Sequence, residues 1–66
     1  MTFEKALEQL KNGEHVRLPQ WPVDEHVTIR SRDDQPTLIH VSARSGHTVY
    51  RPSMKAIFAI DWELVS

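Results

Sequence analysis

Thr2-Phe3-Glu4-Lys5-Ala6-Leu7-Glu8-Gln9-Leu10-Lys11-Asn12-Gly13 is the stretch of this chain with the clearest helical periodicity. Phe3, Ala6, Leu7 and Leu10 fall on one apolar stripe, while Glu4, Lys5, Glu8, Gln9 and Lys11 cover the other face. Thr2 can cap the start, although Lys5 rather than Glu or Gln stands three residues on, so the reciprocal capping box is incomplete. Asn12-Gly13 supplies the left-handed residue that ends a helix. The spacing predicts a helix over about residues 3 to 11. A helix this short is unstable alone, so its stripe must pack on something else.

The rest of the chain is predicted to be largely extended. His15-Val16-Arg17-Leu18 alternates, and Pro19 and Pro22 bracket Trp21 in a loop that cannot be helical. His26 to Arg30 and Thr37 to Ser42 read as strands joined through Asp33-Asp34-Gln35-Pro36. Ser45-Gly46 turns the chain into His47-Thr48-Val49-Tyr50, which predicts a hairpin. Pro52-Ser53 suits the opening of a short helical turn over 53 to 58, and Trp62 to Val65 reads as a last short strand. The fold expected is α+β: an N-terminal helix on a small curved antiparallel sheet, with a short helical turn before the last strand.

Size sets the next constraint. With 66 residues, the chain is expected to form a single domain, 1–66, too small to be more than marginally stable without a staple. Cysteine is absent, which removes disulfides and thiolate metal sites, and the four histidines lack the spacing of a zinc site. His26, His40 and His47 are expected on a solvent-facing or subunit-facing surface. No metal or cofactor is expected, and self-association is the staple left. The formal charge of −1 argues against a nucleic-acid partner. No apolar run approaches the roughly 20 residues that span a bilayer. The start of the chain lacks the layout of a signal peptide, so no membrane partner and a cytoplasmic location are expected.

Two short clusters frame this domain: Val16-Arg17 with Trp21 near the start, and Ala59-Ile60-Asp61-Trp62-Glu63 near the end. Together with Thr2-Phe3-x-x-Ala6-Leu7-x-x-Leu10-x-x-Gly13 and Pro52-Ser53, their order resembles the Thoeris anti-defence two family of small phage and prophage proteins. The resemblance implies a sponge: a protein that binds a cyclic ADP-ribose isomer made by a bacterial immune sensor and withholds it, uncleaved, from the effector. It also implies homo-oligomers, tetramers more than dimers, with pockets at subunit interfaces, and in some relatives separate pockets for cyclic dinucleotides. Family members commonly carry a basic residue, and often a glycine, around the first tryptophan. This chain has Leu18-Pro19-Gln20-Trp21-Pro22 there, and its middle loops are short.

A cyclic ADP-ribose isomer carries an adenine, two riboses and a pyrophosphate of roughly two negative charges, which calls for guanidinium forks and an aromatic face. Trp21, stiffened by its flanking prolines, is either that stacking platform or a plug at the end of the sheet. Trp62, set among Phe58, Ile60, Leu64 and Val65, reads as core. Arg17 lies just before the Trp21 loop. Arg51 stands between Tyr50 and the Pro52-Ser53 helix start, where free amides favour a phosphate. Arg30 and Arg44 are further cations on strand or turn positions, Tyr50 is a second ring, and Ser53 a polar contact. Arg32 reads as an edge-strand charge.

Catalysis is not expected. No serine sits in a glycine-flanked elbow, Asp33-Asp34 reads as a hydrated turn, and two glycines cannot build a phosphate loop. The alternative to a sponge is a small protein-interaction module that inhibits a host protein by direct docking.

Overall fold

The computed structural model describes residues 1–65. Helix α1 spans Phe3–Lys11, with Thr2 Oγ1 accepting from the Lys5 amide at 3.2 Å. It ends in a Schellman motif: the Gly13 amide donates to the Leu10 carbonyl and the Glu14 amide to the Gln9 carbonyl, both at 3.0 Å. Gly13 takes φ 88°, the left-handed conformation that this motif requires.

Five strands follow, β1 (Val16–Arg17), β2 (His26–Arg32), β3 (Gln35–Ser42), β4 (Gly46–Val49) and β5 (Glu63–Leu64), with helix α2 (Met54–Phe58) between the last two. They form one open sheet in the order β4-β3-β2-β1-β5, and every pairing is antiparallel. The expected α+β architecture is the one observed. The β2–β3 ribbon runs closer to its turn than the sequence reading placed it. Gln35 pairs with Arg32 and Pro36 with Ser31, so only Asp33-Asp34 remains as the connection. Both aspartates adopt positive φ, 51° and 65°, the geometry of a two-residue hairpin turn that Asp tolerates better than most residues. Pro36 fits because the pairing with β4 stops at Ile39, leaving the outer edge of β3 open there.

Register assigns the two faces of the sheet. Val16 opposes Val27, Val27 opposes His40, and Ile29 opposes Leu38, so these side chains share the face covered by α1. The core on that face holds Ala6, Leu10, Val16, Leu18, Val27, Ala56 and Trp62, with Phe3, Leu7, Trp21, Ile29, Leu38 and Tyr50 packed against it. The chain leaves β4 at one sheet edge and must cross that face to reach β5 at the other. On the way Ser53 caps α2, its Oγ accepting from the Ala56 amide at 3.2 Å, and Ala56 enters the core. Trp62 is buried at the end of this crossover. Among the described residues no helix is long and apolar enough to cross a membrane.

Candidate functional site

The crossover is where the sheet gains a site. Tyr50 continues the β3 ladder, its amide donating to the Leu38 carbonyl at 2.8 Å, and the chain then rises over the core. Opposite it lies the loop after β1, which Pro19 and Pro22 keep out of any regular element. Between these segments is an open cavity of about 640 Å³, within the range of small-molecule sites. Leu18, Gln20 and Trp21 line it from the loop, His40 from β3, and Tyr50, Arg51, Ser53, Lys55, Ala56, Phe58, Ala59 and Asp61 from the crossover.

Four of the seven candidate residues are brought together here: Trp21, Tyr50, Arg51 and Ser53. Trp21 meets Trp62 and Tyr50 edge-on, with ring centroids 5.5 and 5.8 Å apart, and lies 5.2 Å from His40 at a tilt of 40°. It therefore serves both as a half-buried lid on the core and as a wall of the cavity. The Tyr50 hydroxyl has its pKa raised by burial, so the ring presents a neutral donor. Ser53 spends its hydroxyl oxygen on the α2 cap, and Arg51 is exposed at the cavity mouth.

Arg17 is placed otherwise. Register puts Val16 on the core face and Arg17 on the opposite one, from which its guanidinium reaches back under the loop. Nη1 donates to Glu63 Oε1 at 2.7 Å, and Nη2 donates to the carbonyls of Trp21 and Pro22. The guanidinium is a clamp on the Trp21 loop, outside the cavity lining. Arg30 lies beside Ile29, Ser31 and Pro36 near the far end of the ribbon, and Arg44 beside Pro22, Asp24 and Glu25. Neither joins the cavity.

Sequence reasoning missed Lys55, Phe58, Asp61 and His40 as cavity residues. Lys55 and Phe58 are three apart on α2, a spacing that already places them on one helical face. His40 departs from the expectation of a solvent-facing or subunit-facing surface. Its pairing with the buried Val27 turns it to the core face, where it touches Trp21 and Tyr50 and lies 3.5 Å from Glu25 Oε2.

The Thoeris anti-defense 2-like domain model matches residues 1–65. The chain belongs to this family. Membership gives it a Thoeris anti-defense role, as the order of motifs around Trp21 and Trp62 implied. No curated protein matches the chain.

The opposite face of the sheet carries the remaining histidines of this domain. His15 and His26 stack in parallel, centroids 4.7 Å apart and planes within 3°. The pKa of His26 is held below the ordinary value of 6.5, first by burial and then by the neighbouring His15, His40 and His47. The folded state thus binds fewer protons at this site than the unfolded chain. Its stabilising contribution is present above pH 6.5 and is lost as the pH falls through the depressed value. We expect the melting temperature to fall as the pH is lowered below the ordinary histidine range. His15→Gln should remove part of that fall and raise the His26 pKa read by NMR. A melting temperature that does not respond to pH there would refute the linkage.

Proposed function

We propose that this protein binds a cyclic nucleotide immune messenger and sequesters it without cleaving it, so that the host effector is not activated. The messenger class is a cyclic ADP-ribose isomer, with cyclic dinucleotides as further ligands. The observation that carries this reading is the cavity of about 640 Å³ in a Thoeris anti-defense 2-like chain, where aromatic rings and the cations Arg51 and Lys55 meet. Two cations suit a pyrophosphate, and aromatic walls suit a base and its riboses.

A binder rather than an enzyme is supported by what lines the cavity. Among the described residues the lining holds one aliphatic hydroxyl, Ser53, whose oxygen caps α2 and which has no histidine or carboxylate hydrogen-bonded to it. Acid–base or nucleophilic catalysis needs a group activated by a positioned partner. The cavity is also open, and exposed apolar residues such as Met54 and Ile60 stand near it. Such residues on so small a domain support a homo-oligomer in which a second copy encloses the ligand. The same apolar residues would also fit the alternative, docking on a host protein.

Titration calorimetry of the protein against cyclic ADP-ribose isomers and cyclic dinucleotides tests the proposal. Binding in the micromolar range or tighter is expected, and chromatography of the ligand released by heating should recover it intact. A lack of heat with every ligand, or recovery of a cleaved product, would overturn it.

A further inference from the structure

The aromatic residues divide into two groups. Phe3, Trp21, Tyr50 and Trp62 form one connected cluster, with ring centroids 5.5–6.5 Å apart. Phe58 takes no part in these contacts, and 72% of it is exposed to solvent. An aromatic ring left in water forgoes the burial that makes it useful to a fold. The core does not need this one, since Ala56 is the α2 side chain that enters it.

Phe58 lines the cavity together with Lys55, one turn earlier on α2, and Arg51. Lys55 has no carboxylate within ion-pair distance among the described residues, and Arg51 is equally unpaired there. Asp61 lies on the same lining and repels phosphate, so Arg51 and Lys55 are the lining residues that suit the anionic end of a ligand. Trp21, the obvious stacking candidate, is crowded by Trp62, Tyr50 and His40. Phe58 is the ring that still offers an open face.

The geometry points to Phe58 as the ring on which a nucleobase stacks, with Lys55 and Arg51 holding the phosphates of the same ligand. This assignment rests on the nucleotide-binding reading above and adds to it the residues that grip. Trp21 then forms the wall behind the ligand, and Asp61 accepts from ribose hydroxyls or an exocyclic amine. Because Phe58 is exposed, its replacement should leave the fold intact.

Calorimetric titration with cyclic ADP-ribose isomers and cyclic dinucleotides tests this on wild type, Phe58→Ala, Phe58→Leu, Phe58→Trp and Lys55→Gln. Melting curves and sedimentation accompany each titration. Phe58→Ala should weaken binding about tenfold or more, the loss expected when one base–ring stack is removed. Phe58→Leu keeps the apolar bulk without a π face and should lose as much, whereas Phe58→Trp should hold its affinity. Lys55→Gln should weaken binding and flatten its dependence on salt. Melting temperatures should be unchanged in the Phe58 series.

Wild-type affinity in Phe58→Leu would overturn the stacking role and make the ring an apolar contact. Unchanged affinity in Phe58→Ala with a lower sedimenting mass would assign the ring to self-association and equally overturn it. In both cases the sponge reading survives, because wild type still binds. A wild-type protein that binds none of the ligands removes that reading and this assignment with it.

Discussion

Trp62→Ala is expected to unfold the protein at ordinary temperature. The side chain is 2% exposed, and its ring meets Phe3, Trp21 and Tyr50. Its indole N–H donates to the Ala56 carbonyl at 2.9 Å, tying the last strand to α2. Its own carbonyl accepts from the Met1 amine at 2.7 Å and its amide donates to the Met1 carbonyl at 3.0 Å, so the residue also fixes the start of α1. Removing a buried tryptophan costs about 3–5 kcal/mol. The lost indole hydrogen bond adds about 1 kcal/mol, although the Ala56 carbonyl keeps the Ala59 amide at 3.3 Å. A domain of 66 residues has roughly 3–10 kcal/mol in total. The loss is therefore of the same size as the stability itself. Circular dichroism of Trp62→Ala should show no cooperative melting transition. Trp62→Phe, which keeps a ring and loses only the N–H, should still melt cooperatively at a lower temperature. An alanine variant that melts within a few degrees of wild type would show that the core is centred elsewhere.

What the sequence revealed and what it concealed differ by the range of the interactions involved. Helix α1 was legible almost residue by residue, because its stripe, its Thr2 cap and its Gly13 terminator are all local. The hairpins were legible for the same reason, with an error of two residues where Asp33 and Asp34 accept left-handed angles in place of glycine. Strands β1 and β5 are two residues each and join chain ends that are far apart in sequence. Their pairing follows from the packing of Trp62, which local propensity does not encode. In the site, Trp21, Tyr50, Arg51 and Ser53 were legible because loop and crossover both announce themselves through proline. The direction of a long side chain was not. Arg17 was recognisable as a cation beside the Trp21 loop, yet only the strand register shows that it points to the other face. His40 was likewise turned to the core by its pairing with Val27.

The direction of its side chain gives Arg17 a positioning role and a phenotype to match. Its guanidinium binds three acceptors at once: Glu63 on β5 and the carbonyls of Trp21 and Pro22. The planar fork makes such a triple contact possible, and an ammonium group cannot reproduce it. Arg17→Ala and Arg17→Lys should therefore behave alike, each weakening messenger binding about tenfold as the loop shifts the Trp21 wall of the cavity. If the residue instead acted on the ligand through its charge, lysine would keep most of the affinity. Retained affinity in Arg17→Lys would thus refute the positioning role. A readout that needs no ligand is iodide quenching of tryptophan fluorescence. Trp62 is buried in the wild type, so added quenching in Arg17→Lys would report a loosened Trp21. Stability should fall less than for Trp62→Ala. The Arg17–Glu63 pair is partly solvated and worth up to about 1 kcal/mol, and each carbonyl contact adds about 1 kcal/mol. The domain should remain folded with its Trp21 loop released, which separates the clamp from the core.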